Sequence, residues 1–80
     1  MRPGDDSPGS AIYPMQVVVN GEPRTIPEGT SIAGLLILLG VEGEQVAVEL
    51  DRAIVRRGAW ADREIAPGAQ LEIVHFVGGG

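Results

Sequence analysis

The spacing of apolar residues divides the chain into a patternless start, a strand-like opening, one helical stretch and two further strand-like runs. Met1 to Pro14 mixes Pro, Gly, Ser and Asp with neither the two-residue period of a strand nor the period of about 3.6 of a helix. It reads as a flexible leader, a natural extension or a vector-derived remnant, and is left out of the expected fold, which then occupies residues 15–80. Gln16 to Val19 is β-branched and runs into Asn20-Gly21, the strongest short signal for a two-residue hairpin turn. The return, Glu22 to Ile26, carries Pro23, which cannot donate to a ladder; the pattern predicts a strand at the sheet edge.

After the turn Pro27-Glu28-Gly29, Thr30 or Ser31 offers a side-chain oxygen to the free amides of a helix start. The helix is predicted over 32–39, with Gly40 in the left-handed position that ends it. Ile32, Leu35, Leu36 and Leu39 recur on one face and should meet the sheet. The other face, Ala33, Gly34, Ile37 and Leu38, lacks the polar residues of an ordinary exposed helix. Either a partner or sister subunit covers that face, or it is a plain apolar surface beside the leader.

Val46, Val48 and Leu50 alternate with Ala47 and Glu49, and Ile54-Val55 follows a polar break at Asp51-Arg52, which suggests a second antiparallel ribbon. Arg56-Arg57-Gly58 leads to Trp60, expected to cap one end of the sheet as a core residue. Pro67-Gly68 then turns the chain into a last strand, Leu71 to Val77. Two hairpins, one helix and a final strand form the element order of a β-grasp (ubiquitin-like) α+β fold, a mixed sheet of four to five strands with the helix on one face. The first and last strands should lie centrally and parallel, which suits the unbroken apolar runs Val17 to Val19 and Ile73 to Val77.

Composition narrows the chemistry. With 80 residues, 44% of them apolar and 21% charged, one compact domain is expected and a deep catalytic cleft is not. A net charge of −5 argues against nucleic acid and favours basic protein surfaces as partners. The longest apolar run, Ile32 to Leu39, is far short of the roughly 20 residues that span a bilayer, so no membrane role is expected and a cytoplasmic location is the default. There is no Cys and only one His, His75, so neither a thiolate nucleophile nor a metal cluster can be assembled around it. Glu42, Glu44, Asp62 and Glu64 read as solvated charges. Arg56-Arg57 could grip an anion but reads first as a solubilising pair. No Gly-rich loop opens a helix after a strand, so no nucleotide site is expected. A catalytic set is absent, and the protein is expected to be a carrier rather than an enzyme.

The unusual feature is the end, where Phe76-Val77 leaves the last strand and runs at once into Gly78-Gly79-Gly80. Without Cβ atoms such a tail can extend and pass through a channel too narrow for other residues. Gly78 and Gly79 are the expected threading residues and Gly80 the bearer of a carboxylate that a partner enzyme could activate as an acyl-adenylate. Terminal glycines are also common as frayed ends or linkers; a strand leading straight into them within this element order favours function.

Several segments together resemble the ThiS family, the sulfur carrier of thiazole formation in thiamine biosynthesis. They are Val17-Val18-Val19-Asn20-Gly21, Gly29-Thr30-Ser31-Ile32 before Leu35-Leu36, Ile54-Val55 to Trp60, and Ile73 to Gly80. The ending is the specific part; Met1 to Pro14 and the apolar outer helix face lie outside the family pattern. The resemblance implies that a ThiF-type adenylyltransferase, using ATP and magnesium, adenylates Gly80. Sulfur relayed from a desulfurase then makes a thiocarboxylate, which a ThiG-type thiazole synthase receives. The carrier itself would bind no cofactor. Both enzymes would dock on the face of the sheet away from the helix and on the last strand, with Val74 and Phe76 outward and Ile73 toward the core. A molybdopterin-synthase small subunit would share fold and tail. A protein modifier would acylate lysines elsewhere, since this chain has none for side-chain-linked polymers of itself. An inert binding module would be indifferent to loss of Gly80.

Overall fold

The computed structural model describes residues 13–41 and 45–76. Strand β1 (Pro14–Val19) pairs antiparallel with β2 (Glu22–Pro27) through Asn20-Gly21, at φ 51° and 82°, the doubly left-handed turn that Asn-Gly favours. Helix α1 (Ile32–Leu39) follows, then β3 (Val46–Leu50), β4 (Ala53–Val55), a 3-10 turn at Arg57–Ala59, and β5 (Gln70–His75). The sheet order is β2-β1-β5-β3-β4, with β5 parallel to β1 and antiparallel to β3. The Pro-bearing β2 is at the edge, and the first and last strands are inside, as the pattern predicts.

Several boundaries differ from the sequence expectation; β2 runs one residue further, to Pro27, and β4 begins one residue earlier, at Ala53. Strand β1 starts at Pro14, inside the segment read as leader. Pro14 pairs with Pro27, and since neither ring nitrogen can donate, Glu28 N–H closes the ladder by donating to the Tyr13 carbonyl at 2.7 Å. The last strand runs Gln70–His75 rather than Leu71 to Val77; Phe76 N–H still donates to the Gln45 carbonyl at 3.0 Å, and Val77 lies outside the described residues. The remainder of the leader, residues 1–12, is outside them too, as are Glu42 and Glu44.

Helix α1 has the predicted bounds. Ser31, not Thr30, is its cap: Ser31 Oγ accepts from Gly34 N–H at 3.0 Å, while the Thr30 hydroxyl donates to the Pro27 carbonyl. Gly40, at φ 71°, ends the helix by donating its N–H to the Ile37 carbonyl at 3.0 Å. The next amide, Val41 N–H, donates to the Leu36 carbonyl at 2.9 Å. Ile32, Leu35 and Leu36 are buried against Val17, Val48 and Leu71, and the predicted fourth contact, Leu39, is only half-buried. Each such fully buried aliphatic side chain contributes about 1.5–3 kcal/mol of transfer free energy. Ile37 and Leu38 remain 79% and 58% exposed, so among the described residues nothing covers the apolar outer face of the helix.

The irregular crossing closes one end of this core. Trp60 is buried and donates its indole N–H to the Val55 carbonyl at 2.8 Å, as expected of a capping core residue. Its own carbonyl accepts from Ala33 N–H at 3.1 Å, and the Arg63 carbonyl accepts from Ile32 N–H at 3.0 Å. The first amides of α1 are thus occupied by protein acceptors, which leaves that helix terminus no free donors for an anion.

Candidate functional site

Among the described residues, one helix covers one face of a five-stranded sheet and the other face stays open. Parity along β5 decides what that face shows. Leu71 and Ile73 point to the core, which puts Glu72 and Val74 on the open side. Val74 is 51% and Phe76 48% exposed, and Ile73 is buried; the register assigned from the sequence holds.

Neighbouring strands enlarge this patch with residues that the sequence reading did not place there. Ala47 of β3 lies directly opposite Val74 and widens the apolar strip. Next along the same pair of strands, Glu49 lies opposite Glu72, and Ile54 of β4, exposed, lies opposite Glu49 on the other side. Two carboxylates directly opposed across a ladder repel and mildly destabilise the sheet. A basic surface set against them would relieve that repulsion. Strand parity was the available signal for Glu49 and Glu72, but it needs the pairing of β3 with β5, which sequence alone does not supply.

The strand that carries this patch is also the one that leads to the glycines. Gly78, Gly79 and Gly80, expected to thread and to carry the activated carboxylate, lie outside the described residues. On the β3 side β5 is held to its end by the His75–Val46 pair and the Phe76–Gln45 bond. His75 sits on the helix-side rim, exposed, lining a shallow cleft with Asn20, Glu22 and Arg24. Among the described residues no group of three or more His, Asp or Glu side chains could hold a metal ion, and no helix is long and apolar enough to cross a membrane. Arg57 is more than a solubilising charge: its guanidinium lies over the Trp60 ring, 5.2 Å from the centroid, while Arg56 is exposed.

Comparison with known proteins gives this arrangement a family. The model of the ThiS family matches residues 17–80. The chain belongs to the ThiS family. It is similar to a solved structure of the thiamine biosynthesis protein ThiS from Geobacter metallireducens, at 35% identity and a TM-score of 0.74, over 82% of this chain and 100% of that one. It is also 44% identical over 66 residues to a thiazole synthase of Magnetococcus marinus, and 41% identical over 66 residues to one of Paramagnetospirillum magneticum. This chain spans only 20% of the length of each of those relatives. The ThiS match and the mixed five-stranded sheet under one helix agree on a β-grasp domain.

Proposed function

We propose that the protein carries sulfur as a thiocarboxylate on Gly80 and delivers it for thiazole formation. In the first step a carboxylate oxygen of Gly80 attacks the α-phosphorus of ATP, held with magnesium by a ThiF-type adenylyltransferase, and expels pyrophosphate. The terminal sulfur of a persulfide supplied through a desulfurase then attacks the acyl carbon and expels AMP. A thiol cleaves the S–S bond of the resulting acyl disulfide, releasing the thiocarboxylate and forming a mixed disulfide with the sulfur donor. The thiocarboxylate left behind is a better nucleophile than the carboxylate it replaces. Gly78 and Gly79 give the tail the narrow cross-section needed to enter both enzymes. The observation that carries this reading is the family match, which spans residues 17–80.

A ThiG-type thiazole synthase is the proposed recipient. What supports it is that the two thiazole synthases similar to this chain contain a segment of its kind within a chain about five times as long. Docking falls to the open face: Val74 and Phe76 supply apolar area, and the Glu49–Glu72 pair supplies acceptors for basic side chains of the enzymes.

Intact mass spectrometry tests the chemistry. Incubated with ATP, magnesium, the adenylyltransferase and a sulfur donor, the full chain should gain the mass of one oxygen exchanged for sulfur, and a chain lacking Gly80 should gain nothing. In the same assay Val74→Asp should slow conversion about tenfold through the Michaelis constant, as loss of one interface anchor does. Equal behaviour of the full and shortened chains would reject the carrier reading in favour of an inert binding module.

A further inference from the structure

Asn20 makes two hydrogen bonds to one residue 53 positions away. Ile73 N–H donates to Asn20 Oδ1 at 2.7 Å, and Asn20 Nδ2 donates to the Ile73 carbonyl at 3.2 Å. One carboxamide thus satisfies both backbone groups of Ile73, the service a neighbouring strand would give with its main chain. Strand β1 cannot give it. It ends at Val19, opposite Leu71, and after Asn20 N–H has donated to the Leu71 carbonyl at 2.9 Å the chain turns away into β2. The side chain therefore carries the β1–β5 ladder two residues further along β5 than the backbone of β1 reaches. Among the described residues, the outgoing strand beyond Ile73 is held on its β3 side alone, by Ala47 against Val74, by Val46 against His75 and by the Gln45 carbonyl.

We propose that Asn20 is a positioning residue for the chemistry of the tail: its carboxamide fixes the point at which β5 ceases to be held from both sides, and so sets how firmly the strand that precedes the glycines is presented to a modifying enzyme. This rests on the carrier reading given above. The residue type is demanded twice over. The turn needs a φ of 51°, which Asn adopts more readily than most residues, and the clamp needs a donor and an acceptor on one planar group. Gly would serve the turn without the clamp, and Asp would offer the acceptor without the donor. With the carboxamide gone, two-sided support retreats to Leu71, leaving roughly 7 Å more of strand, at about 3.3 Å per residue, to β3 alone. An enzyme that threads the tail must then steady a strand held from one side only, a cost that falls on binding more than on the chemical step.

The test sets Asn20→Gly beside Gly21→Ala. Gly21 has a φ of 82° with open space around an added Cβ, so alanine there strains the turn through the backbone alone and leaves the carboxamide in place. In Asn20→Gly, hydrogen exchange at the Ile73 amide should quicken about tenfold, as expected for loss of its acceptor. The Michaelis constant of the adenylyltransferase for this carrier, followed by pyrophosphate release, should rise about tenfold at nearly unchanged kcat. Gly21→Ala should lower the melting temperature at least as much while leaving the Ile73 amide and the Michaelis constant near wild type. Asn20→Asp, which keeps the turn and the acceptor, should fall between wild type and Asn20→Gly and decides the matter if the glycine variant does not fold. An unchanged Michaelis constant in both Asn20 variants, or an equal rise in Gly21→Ala, would overturn the proposal. If the wild-type chain itself released no pyrophosphate, the carrier reading beneath it would fall instead, and the two failures are told apart by that control.

Discussion

Asn20-Gly21 joins β1 to β2 and Asp51-Arg52 joins β3 to β4, each as a two-residue turn with both residues at positive φ, and each reaches across to β5. Because β1 is parallel to β5 and β3 antiparallel, the two turns meet that strand at different points. Asp51 grips where β5 begins: its N–H donates to the Gln70 carbonyl at 2.7 Å, and its Oδ1 accepts from Gln70 N–H at 2.9 Å. Asn20 grips further on, at Ile73. They also differ in local quality, since the second residue is Gly at φ 82° in one turn and Arg at φ 76° in the other. The turn nearer the glycines has residues suited to its backbone, and the turn at the entry of the strand keeps a strained arginine. One residue can serve as both turn former and tertiary anchor, and the two demands need not be met equally well at each end of a strand.

Exchanging the turns should break the comparison most severely. Asn20→Asp combined with Gly21→Arg places a side chain at φ 82° and removes the donor to the Ile73 carbonyl, which together should cost about 2–3 kcal/mol of unfolding free energy in urea titrations. A smaller loss, about 1 kcal/mol by the same titration, is expected of Asp51→Ala, which deletes the exposed bond to Gln70 and loosens only the entry of β5. The smallest effect has the opposite sign. Arg52→Gly relieves the left-handed strain but adds freedom to the unfolded chain, and should leave the protein more stable by roughly 0.5 kcal/mol. Destabilisation by Arg52→Gly would mean that the arginine makes a contact that outweighs its strain.

The same contrast marks how far the sequence could be read. Asn-Gly carries its turn in its own chemistry, and the helix over 32–39 carries its period, its cap and its closing glycine within ten residues or so. Asp51-Arg52 reads only as a polar break, because Arg has no intrinsic taste for positive φ; the register that leaves Leu50 opposite Ala53 imposes the turn. The edge placement of β2 follows from Pro23, and the inward place of β5 from its apolar run. Val74 and Phe76 on the open face were legible through alternation with Ile73. Glu49 against Glu72, and Asn20 against Ile73, were not: each joins residues distant in the chain, and no local pattern encodes such a meeting. Thr30 and Ser31 were equal candidates for the helix cap until the Pro27 carbonyl engaged the Thr30 hydroxyl.

The strand at the heart of the sheet is the last of its strands to be made. Until Gln70–His75 leaves the ribosome, two separate hairpins and a short helix have no common neighbour, and an isolated hairpin is at best marginally stable in water. Joining β1 to β5 then closes a loop of more than 50 residues, a slow event by the standards of local structure, since the Asn20–Ile73 contact alone spans 53 positions. A nascent chain therefore remains uncommitted through most of its synthesis and condenses only when the stretch just ahead of the glycines arrives. A translation product interrupted before Gln70 would lack the strand that makes it a domain, and so would be left to proteolysis before it could occupy an enzyme with nothing to deliver.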